Sequence, residues 1–441
     1  MTENPLSLHI ILLMLLFFDS RNKKPSLFSI ILFVVGFNRI ASPQTPASLA
    51  QQITDLQPTV ILIGFDGFRH DYMDKTGTPG LHRLATQGVR AEGMIPVFPS
   101  KTFPNFYSLA TGLYPENHGI VGNTMYDPVF DARFRMSDRA AVEDSRWWGG
   151  EPIWATVEKQ RQRAGIFFWV GSEAEIAGVR PTFWKRYDAK IPNAERIARA
   201  LDWLDLPVAE RPRFIALYFS DADHAGHRHG PDSPEVIKTI QELDRIVGVL
   251  LQGLETRSIL EKVHIILVAD HGMSATSKDR VIYLRDYIDL NAVQVIDGSP
   301  AVTLRPVQNN EDQIYRALLQ AHPHMQVYRK DTMPARFHYT RHRRIPPILC
   351  LADDGWTINT RAATDTSRSF WDNGAHGYDS LLPSMRATFV AHGPAFKKGA
   401  VVKPFQNIHV YNLMAHLLNL PPAPNDGSLD SVQVMLKALN E

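Results

Sequence analysis

Cysteine is nearly absent: Cys350 is the one residue of its type in a chain of 441. It cannot form an internal disulfide or build a thiolate metal site by itself, so any bound metal must be held by histidine and carboxylate. An excess of one charge is missing too, with 47 Lys and Arg against 46 Asp and Glu, and 43 against 44 once residues 1–43 are set aside. A body this close to neutrality has no broad electrostatic footprint for nucleic acid, and Arg341, Arg343 and Arg344 form only a local cluster. Internal repeats and low-complexity stretches are lacking. The apolar runs near the N-terminus, Leu8–Phe18 and Leu27–Phe37, are each shorter than the roughly 20 residues that span a bilayer.

Those two runs nevertheless carry a message. The basic cluster Arg21-Asn22-Lys23-Lys24, the apolar stretch after it and the small residues Ala41-Ser42-Pro43 predict a secretory signal cleaved near Ala41. An uncleaved anchor, or a start placed too early so that only the second run is the signal, are the alternatives. No cysteine follows, so a cysteine-linked lipid is excluded. The expectation is an exported protein, periplasmic or secreted, that meets a membrane only if this segment is retained.

From Thr59 onward, strand and helix patterns alternate. Val60–Phe65 is a short apolar run of the kind buried on both faces of a parallel sheet, and it stops on Asp66-Gly67. Phe214–Phe219 leads into Asp221-Ala222-Asp223-His224-Ala225-Gly226-His227, and His264–Ala269 runs straight into Asp270-His271-Gly272. Between them Pro234–Glu255 has helical spacing through Val236, Ile240, Leu243, Val247 and Leu250. Leu81–Gln87 reads as a helix closed by Gly88, and Thr111–Asn123 as turns, with Asn123 a candidate polar contact. Phe130–Gly150 reads as an irregular segment over one rim of a cleft. Asn373-Gly374-Ala375-His376-Gly377 is expected on a flexible turn before a late strand at Ala387–Val390.

In Pro99-Ser100-Lys101-Thr102-Phe103-Pro104-Asn105, a hydroxyl stands directly before what reads as a helix with a proline in its first turn. Unpaired backbone N–H groups and the positive end of a helix dipole favour a developing alkoxide and an anionic phosphate there, which makes Thr102 the candidate nucleophile. An ordinary N-cap threonine is the plain alternative. Three apolar strands that each end on Asp change the balance, because the ends of parallel strands share one sheet edge, where ligands bind. Singly these residues mean little: Asp223 and His227 would be unremarkable on a solvated loop, and His376 as a structural histidine. Together, three carboxylates in one crevice repel unless cations neutralise them, and a mixed His and Asp set suits Zn²⁺ or a similar ion. The ligand count suits two ions, one on Asp66, Asp270, His271 and the Thr102 oxygen, the other on Asp223, His227 and His376. Such a pair, about 4 Å apart, activates a hydroxyl and holds entering and leaving oxygens in line, which points to phosphoryl transfer.

At these residues the sequence resembles the nucleotide pyrophosphatase/phosphodiesterase family of the alkaline phosphatase superfamily. The resemblance runs over residues 58–427 and rests on Phe65-Asp66-Gly67-Phe68-Arg69, Phe98–Asn105, His118–Asn123, Asp223 with Gly226-His227, Ala269–Met273 and Gly374–Gly377. Arg344–Ile348, leading to Asp353-Asp354-Gly355-Trp356, belongs to the same pattern. Ala222 departs from it, standing where the family usually has proline. The resemblance implies an α/β three-layer sandwich with a mainly parallel central sheet and irregular insertions over the active-site edge. It implies a threonine nucleophile, two Zn²⁺ with the ligand division above, and Asn123 on the phosphoryl oxygens. By the same analogy Phe103 and Tyr187 sandwich a nucleobase and Tyr218 lines the pocket. The expected organisation is a signal or anchor at 1–43, a linker at 44–57, a phosphodiesterase catalytic domain at 58–427 and a tail at 428–441. The expected partners are small nucleotide substrates.

Neighbouring chemistries fare less well. A sulfatase would need Cys or Ser at position 102 and Arg four residues on, where Phe106 stands. A phosphomonoesterase would gain little from an aromatic slot. Choline phospholipid hydrolysis competes more seriously, since Trp147, Trp148 and Trp184 are candidates for an ammonium cage. A non-catalytic metal-stabilised module is the reading from another class, and a hydroxyl at Thr102 beside an open ligand set speaks against it.

Overall fold

The computed structural model describes residues 52–361 and 372–438. The predicted signal at 1–43, most of the linker and residues 439–441 lie outside the described residues. Among those described, eight strands make the central sheet: β1 (Val60–Phe65), β2 (Val89–Ala91), β3 (Ala164–Phe167), β4 (Phe183–Lys185), β5 (Phe214–Phe219), β6 (His264–Val268), β7 (Phe389–His392) and β8 (Ala400–Val402). They lie in the order β8-β2-β7-β6-β1-β5-β3-β4. All run parallel except β7, which is antiparallel to both its neighbours, β6 and β2. Every residue of β1, β5 and β6 is buried. That is why these three read as unbroken apolar runs and not as alternating patterns.

Helices cover the sheet in two groups. Pro79–Thr86, Asn193–Leu204 and Pro234–Thr256 pack on one another, and Thr102–Thr111, Ile153–Lys159 and His409–Leu417 form the other group. The resulting architecture is the alkaline phosphatase-like α/β sandwich. Pro234–Thr256 starts on Ser233, whose hydroxyl accepts the Val236 N–H, and buries Val236, Ile240, Leu243, Val247 and Leu250 as one stripe. Thr102–Thr111 is an interior helix, buried along nearly its whole length. It presses so closely on β1 that a Cβ at Gly64 would lie 2.7 Å from the Phe106 ring. Any larger residue at position 64 would push the helix, and the residue that opens it, away from the sheet edge.

Several local expectations change. The helix begins on Thr102 itself, with Lys101 as its cap, so the candidate hydroxyl sits in the first turn and not before it. Asp223 and His227 lie on a helix, Asp221–His229, and not on a loop. Ala222 is the second residue of that helix, in the first turn where proline is also tolerated, so this departure leaves the turn intact. Phe130–Gly150 is not irregular: it contains Ala132–Arg135, paired with Thr124–Asp127, and the helix Arg139–Glu143. His376 follows a two-residue strand, Gly374–Ala375, paired with Ser274–Ala275. Ile53 is buried and its N–H reaches Arg257 O, while Val432 and Met435 are buried and Lys437 N–H reaches Ala395 O. All of this lies within one compact unit.

A second sheet was not legible in the sequence. Val293–Asp297, Ala301–Pro306, Ile348–Ala352 and Met325–Arg329 pair antiparallel in that order, over a separate core that includes Val302, Leu304, Ile314, Leu318 and Cys350. The connection between Met325–Arg329 and Ile348–Ala352 returns Arg343 and Arg344 to the main body. Both guanidinium groups donate to Asp127, which is fully buried, and Arg344 also donates to Gly119 O and Trp147 O. Burial opposes ionisation of Asp127, but the two arginines more than offset it and hold its carboxyl far below the usual range. Removing the acid strands the buried cation of Arg344, while Arg343 is exposed and can turn to solvent. Asp127→Ala should therefore cost about 3–5 kcal/mol in urea unfolding, whereas Arg336→Ala, which breaks the exposed pair with Asp379, should cost under about 1 kcal/mol. Equal losses would show that burial does not decide the strength of these pairs.

Candidate active site

Each candidate ligand is delivered by the end of a core element. Asp66 follows β1 directly, and Asp270 and His271 follow β6. The helix after β5 places Asp223 and His227 four residues apart, on one face. The short pairing of Ser274–Ala275 with Gly374–Ala375 brings in His376, whose ring stacks on His271 with centroids 3.5 Å apart. Gly67, at φ +65°, makes the turn out of β1; its N–H donates to Asp270 Oδ1 at 3.0 Å, and a Cβ there would meet the Asp223 backbone at 2.9 Å. Only glycine fits this approach.

The polar atoms converge. His227 Nε2 is 3.3 Å from Asp223 Oδ1 and His376 Nε2 is 3.5 Å from the same oxygen. His271 Nε2 is 2.8 Å from Asp270 Oδ2, 3.5 Å from Asp66 Oδ1 and 3.4 Å from Thr102 Oγ1. The three carboxylate oxygens that face the imidazoles, Asp66 Oδ1, Asp223 Oδ1 and Asp270 Oδ2, are buried without a hydrogen-bond partner. All three histidines turn Nδ1 to a backbone carbonyl: His227 to Gly374, His271 to Gly272 and His376 to Ser100, at 2.8–2.9 Å. An Nδ1–H held in this way leaves the Nε2 lone pair facing the cluster.

The electrostatics of the metal-free site are those of a charge problem. Burial, then the negative charges of Asp270 and Asp223, push the Asp66 carboxyl well above its usual range. Burial also holds His376 well below the normal imidazole value, and the neighbouring His271 adds to the effect. At His227 burial is outweighed by Asp223, and the ring is raised to about 9. Partnerless buried carboxylate oxygens opposite neutral-capable Nε2 atoms are a donor set for cations of the zinc type. Asp223, His227 and His376 form one group whose ligand atoms lie within 4.8 Å of one another, and Asp66, Asp223 and His271 form another. Asp223 is therefore within reach of both, and Asp270 joins through His271.

Thr102 lies beside this cluster at the mouth of a cleft of about 400 Å³. Phe103, Tyr187 and Tyr218 line the same cleft, along with Asp66 and Asp223. Phe103 is held from behind by Phe134 and Trp148, and Tyr187 by Phe168 and Tyr218, so the two rings face shared space from separate supports. Asn123 accepts the Phe103 N–H at 2.9 Å through Oδ1, which leaves its NH₂ to donate. The tryptophans considered for an ammonium cage are placed elsewhere. Trp147 lies under Arg344 and Trp148 donates to Val142 O, both buried, while Trp184 borders a different hollow.

Sequence reading missed two contributors. Tyr218 does more than line the cleft: its hydroxyl donates to Asp66 Oδ2 at 2.5 Å and fixes the carboxylate whose other oxygen faces the cluster. Lys101, buried beside Thr102, pairs with Asp297 at 2.8 Å and ties the helix that opens on Thr102 to the second sheet. Its position next to Thr102 was visible, but its partner, 196 residues away, was not.

Because Asp66 is raised in the metal-free protein, its folded form holds a proton that the unfolded chain releases. Stability of that form should therefore fall as pH rises from about 4 through the raised value. Asp66→Asn should accordingly melt higher than wild type when both are metal-free at neutral pH, and it should lose most of the rise in Tm that added Zn²⁺ gives to the wild type. A lower metal-free Tm for the variant would mean that Asp66 stabilises the fold by itself.

The chain is similar to several known proteins. The family described as type I phosphodiesterase/nucleotide pyrophosphatase matches residues 60–379. Ectonucleotide pyrophosphatase/phosphodiesterase family member 1 of Rattus norvegicus is 41% identical over 410 residues, covering 90% of this chain and 44% of that protein. This chain thus spans under half the length of that relative. An uncharacterized pyrophosphatase/phosphodiesterase of Schizosaccharomyces pombe is 40% identical, covering 89% of this chain and 84% of its own. The solved structure of an inactive variant of murine ectonucleotide pyrophosphatase/phosphodiesterase 5, in complex with AMP, superposes with a TM-score of 0.82 at 36% identity, covering 86% of this chain and 100% of that one.

Proposed function

This chain belongs to the type I phosphodiesterase/nucleotide pyrophosphatase family, and we propose that it hydrolyses nucleotide phosphodiester and pyrophosphate bonds through a phosphothreonine on Thr102, releasing nucleoside 5′-monophosphates. The observation that carries this reading is the set of three buried, partnerless carboxylate oxygens and three Nε2 atoms gathered in one cluster, with the Thr102 hydroxyl 3.4 Å from His271 Nε2. The murine relative solved with AMP supports a nucleotide in the adjoining cleft.

In this reading Asp66, Asp270, His271 and Thr102 hold one Zn²⁺, and Asp223, His227 and His376 hold a second. Bound there, the ions supply Lewis acidity that lowers the pKa of a hydroxyl and offsets charge on phosphoryl oxygens. Thr102 Oγ attacks the α-phosphorus, its proton passing to solvent, while the NH₂ of Asn123 holds a phosphoryl oxygen. The bond from phosphorus to the leaving oxygen breaks with its electron pair. Water then cleaves the Thr102 phosphoester. Phe103 and Tyr187 grip the base by stacking, worth about 1–3 kcal/mol per face and nearly indifferent to base identity. Tyr218, through its bond to Asp66, acts as a positioning residue. A choline phospholipid is a poorer fit, because Trp147 and Trp148 are committed to the interior.

The same reading takes residues 1–43 as an export segment, with the phosphodiesterase domain beginning near residue 58. No helix among the described residues is long and apolar enough to cross a membrane. The decisive experiment is at the nucleophile. Thr102→Ala should lower kcat at least about 1,000-fold while still binding AMP, and Thr102→Ser should keep measurable turnover. Acid-quenched wild-type turnover of substrate labelled at the α-phosphate should leave label on Thr102. Near-normal turnover by the alanine variant would mean direct attack by water.

A further inference from the structure

The central sheet delivers its carboxylates at one edge, and the opposite edge carries the other charge. There the segments that lead into the strands are basic. Arg161 and Arg163 precede β3, Arg211 and Arg213 precede β5, Lys262 precedes β6, and Lys397 and Lys398 stand between β7 and β8. Backbone bonds tie these segments side by side: Arg213 N–H donates to Arg163 O at 2.9 Å and Val60 N–H to Arg213 O at 2.8 Å. The turn after β7 lies against the start of β6, since a Cβ at Gly393 would meet Val263 O at 2.6 Å.

Most of this charge is uncommitted. Arg211 pairs with Asp55, and Arg257 close by pairs with Asp205. Arg161, Arg163, Arg213, Lys262, Lys397 and Lys398 enter no ion pair among the described residues, and Arg161, Lys262, Lys397 and Lys398 are exposed. Three acids stand among these six bases. Glu158 is engaged by the Ala164 and Thr182 N–H groups, Glu261 faces His392, and Glu210 is exposed. A positive excess therefore remains at this edge, although the chain beyond residue 43 is balanced as a whole. In the strand order β8 is first and β3 seventh, so at the usual strand spacing the bases spread across about 29 Å.

Cations spread this widely suit an extended sheet of negative charge better than a single bound anion. The chain itself says which sheet. Ile53 lies at the same edge, its N–H on Arg257 O, so the segment that carries the apolar runs Leu8–Phe18 and Leu27–Phe37 joins the domain there. An apolar segment seated in a bilayer would hold this edge, and not the ligand cluster, against the head groups. We propose that the strand-start edge seats the protein on an anionic phospholipid surface, with the ligand cluster at the far ends of the same strands, open to solution. The proposal does not depend on what the cluster hydrolyses.

Leu49–Glu441 is a compact unit with its own core, so the zinc-loaded chain from residue 44 can be tested without the apolar runs. In low salt it should sediment with vesicles of equal parts phosphatidylglycerol and phosphatidylcholine, and not with vesicles of phosphatidylcholine alone. Each base near such a surface strengthens binding about fivefold, so changing Arg161, Lys262, Lys397 and Lys398 together to Gln should weaken it roughly 100-fold or more. Changing Lys238, Lys278, Arg285 and Arg316 to Gln, which removes as many exposed bases elsewhere, should leave it nearly unchanged. If the first fourfold variant melts lower than wild type, Arg161→Gln and Lys398→Gln singly should each cost about fivefold. No binding to the anionic vesicles, or equal losses in the two fourfold variants, overturns the proposal. Tighter binding to closed circular duplex DNA than to the vesicles, lost in the first fourfold variant, would make the edge a nucleic-acid site and overturn it too.

Discussion

Like-charge repulsion is the constraint on which this sheet edge depends. β1, β5 and β6 run parallel as nearest neighbours, so the residues after them are forced into one crevice, and the chain places a carboxylate after each. Water is largely kept out: Asp66 and Asp270 are buried and the Asp223 side chain is 14% exposed. In a low dielectric such a trio is costly unless countercharge is supplied. The surrounding geometry follows from that need. Gly67 brings its N–H to Asp270, Tyr218 secures Asp66, and three backbone carbonyls fix the histidines with Nε2 inward.

The rest of the fold keeps the arrangement rigid. The interior helix Thr102–Thr111 has no freedom to drift, because Gly64 lets Phe106 sit directly on β1 and Asn105 pins the preceding segment by donating to Pro99 O and Lys101 O. The Lys101–Asp297 pair then docks the second sheet against the same helix.

What the sequence disclosed, and what it withheld, follows the same physics. Strands buried on both faces announce themselves as apolar runs, so β1, β5 and β6 and the residues they deliver were legible. So was the helix after Pro234, from its period. The Asp221–His229 helix was not, since Asp-Ala-Asp-His-Ala-Gly-His lacks an apolar stripe and is held as helix by what surrounds it. Short elements such as Gly374–Ala375 and Arg139–Glu143 carry too few residues for a pattern. The second sheet was hidden for another reason: Ile348–Ala352 is an unbroken apolar run, but Met325–Arg329 and Val293–Asp297 are mixed, and the pairing joins segments far apart in the chain. Partners at long range, Tyr218 for Asp66 and Asp297 for Lys101, leave no local signal.

The central claim is that cations resolve the charge conflict at this edge, and elemental analysis of the protein purified without added metal or chelator tests it most directly. Two zinc ions per chain in wild type, with one lost in Asp270→Ala while the fold is retained, is the expected result, since three carboxylates and three imidazoles exceed what one tetrahedral ion can use. Fully active protein carrying one ion or none would contradict it.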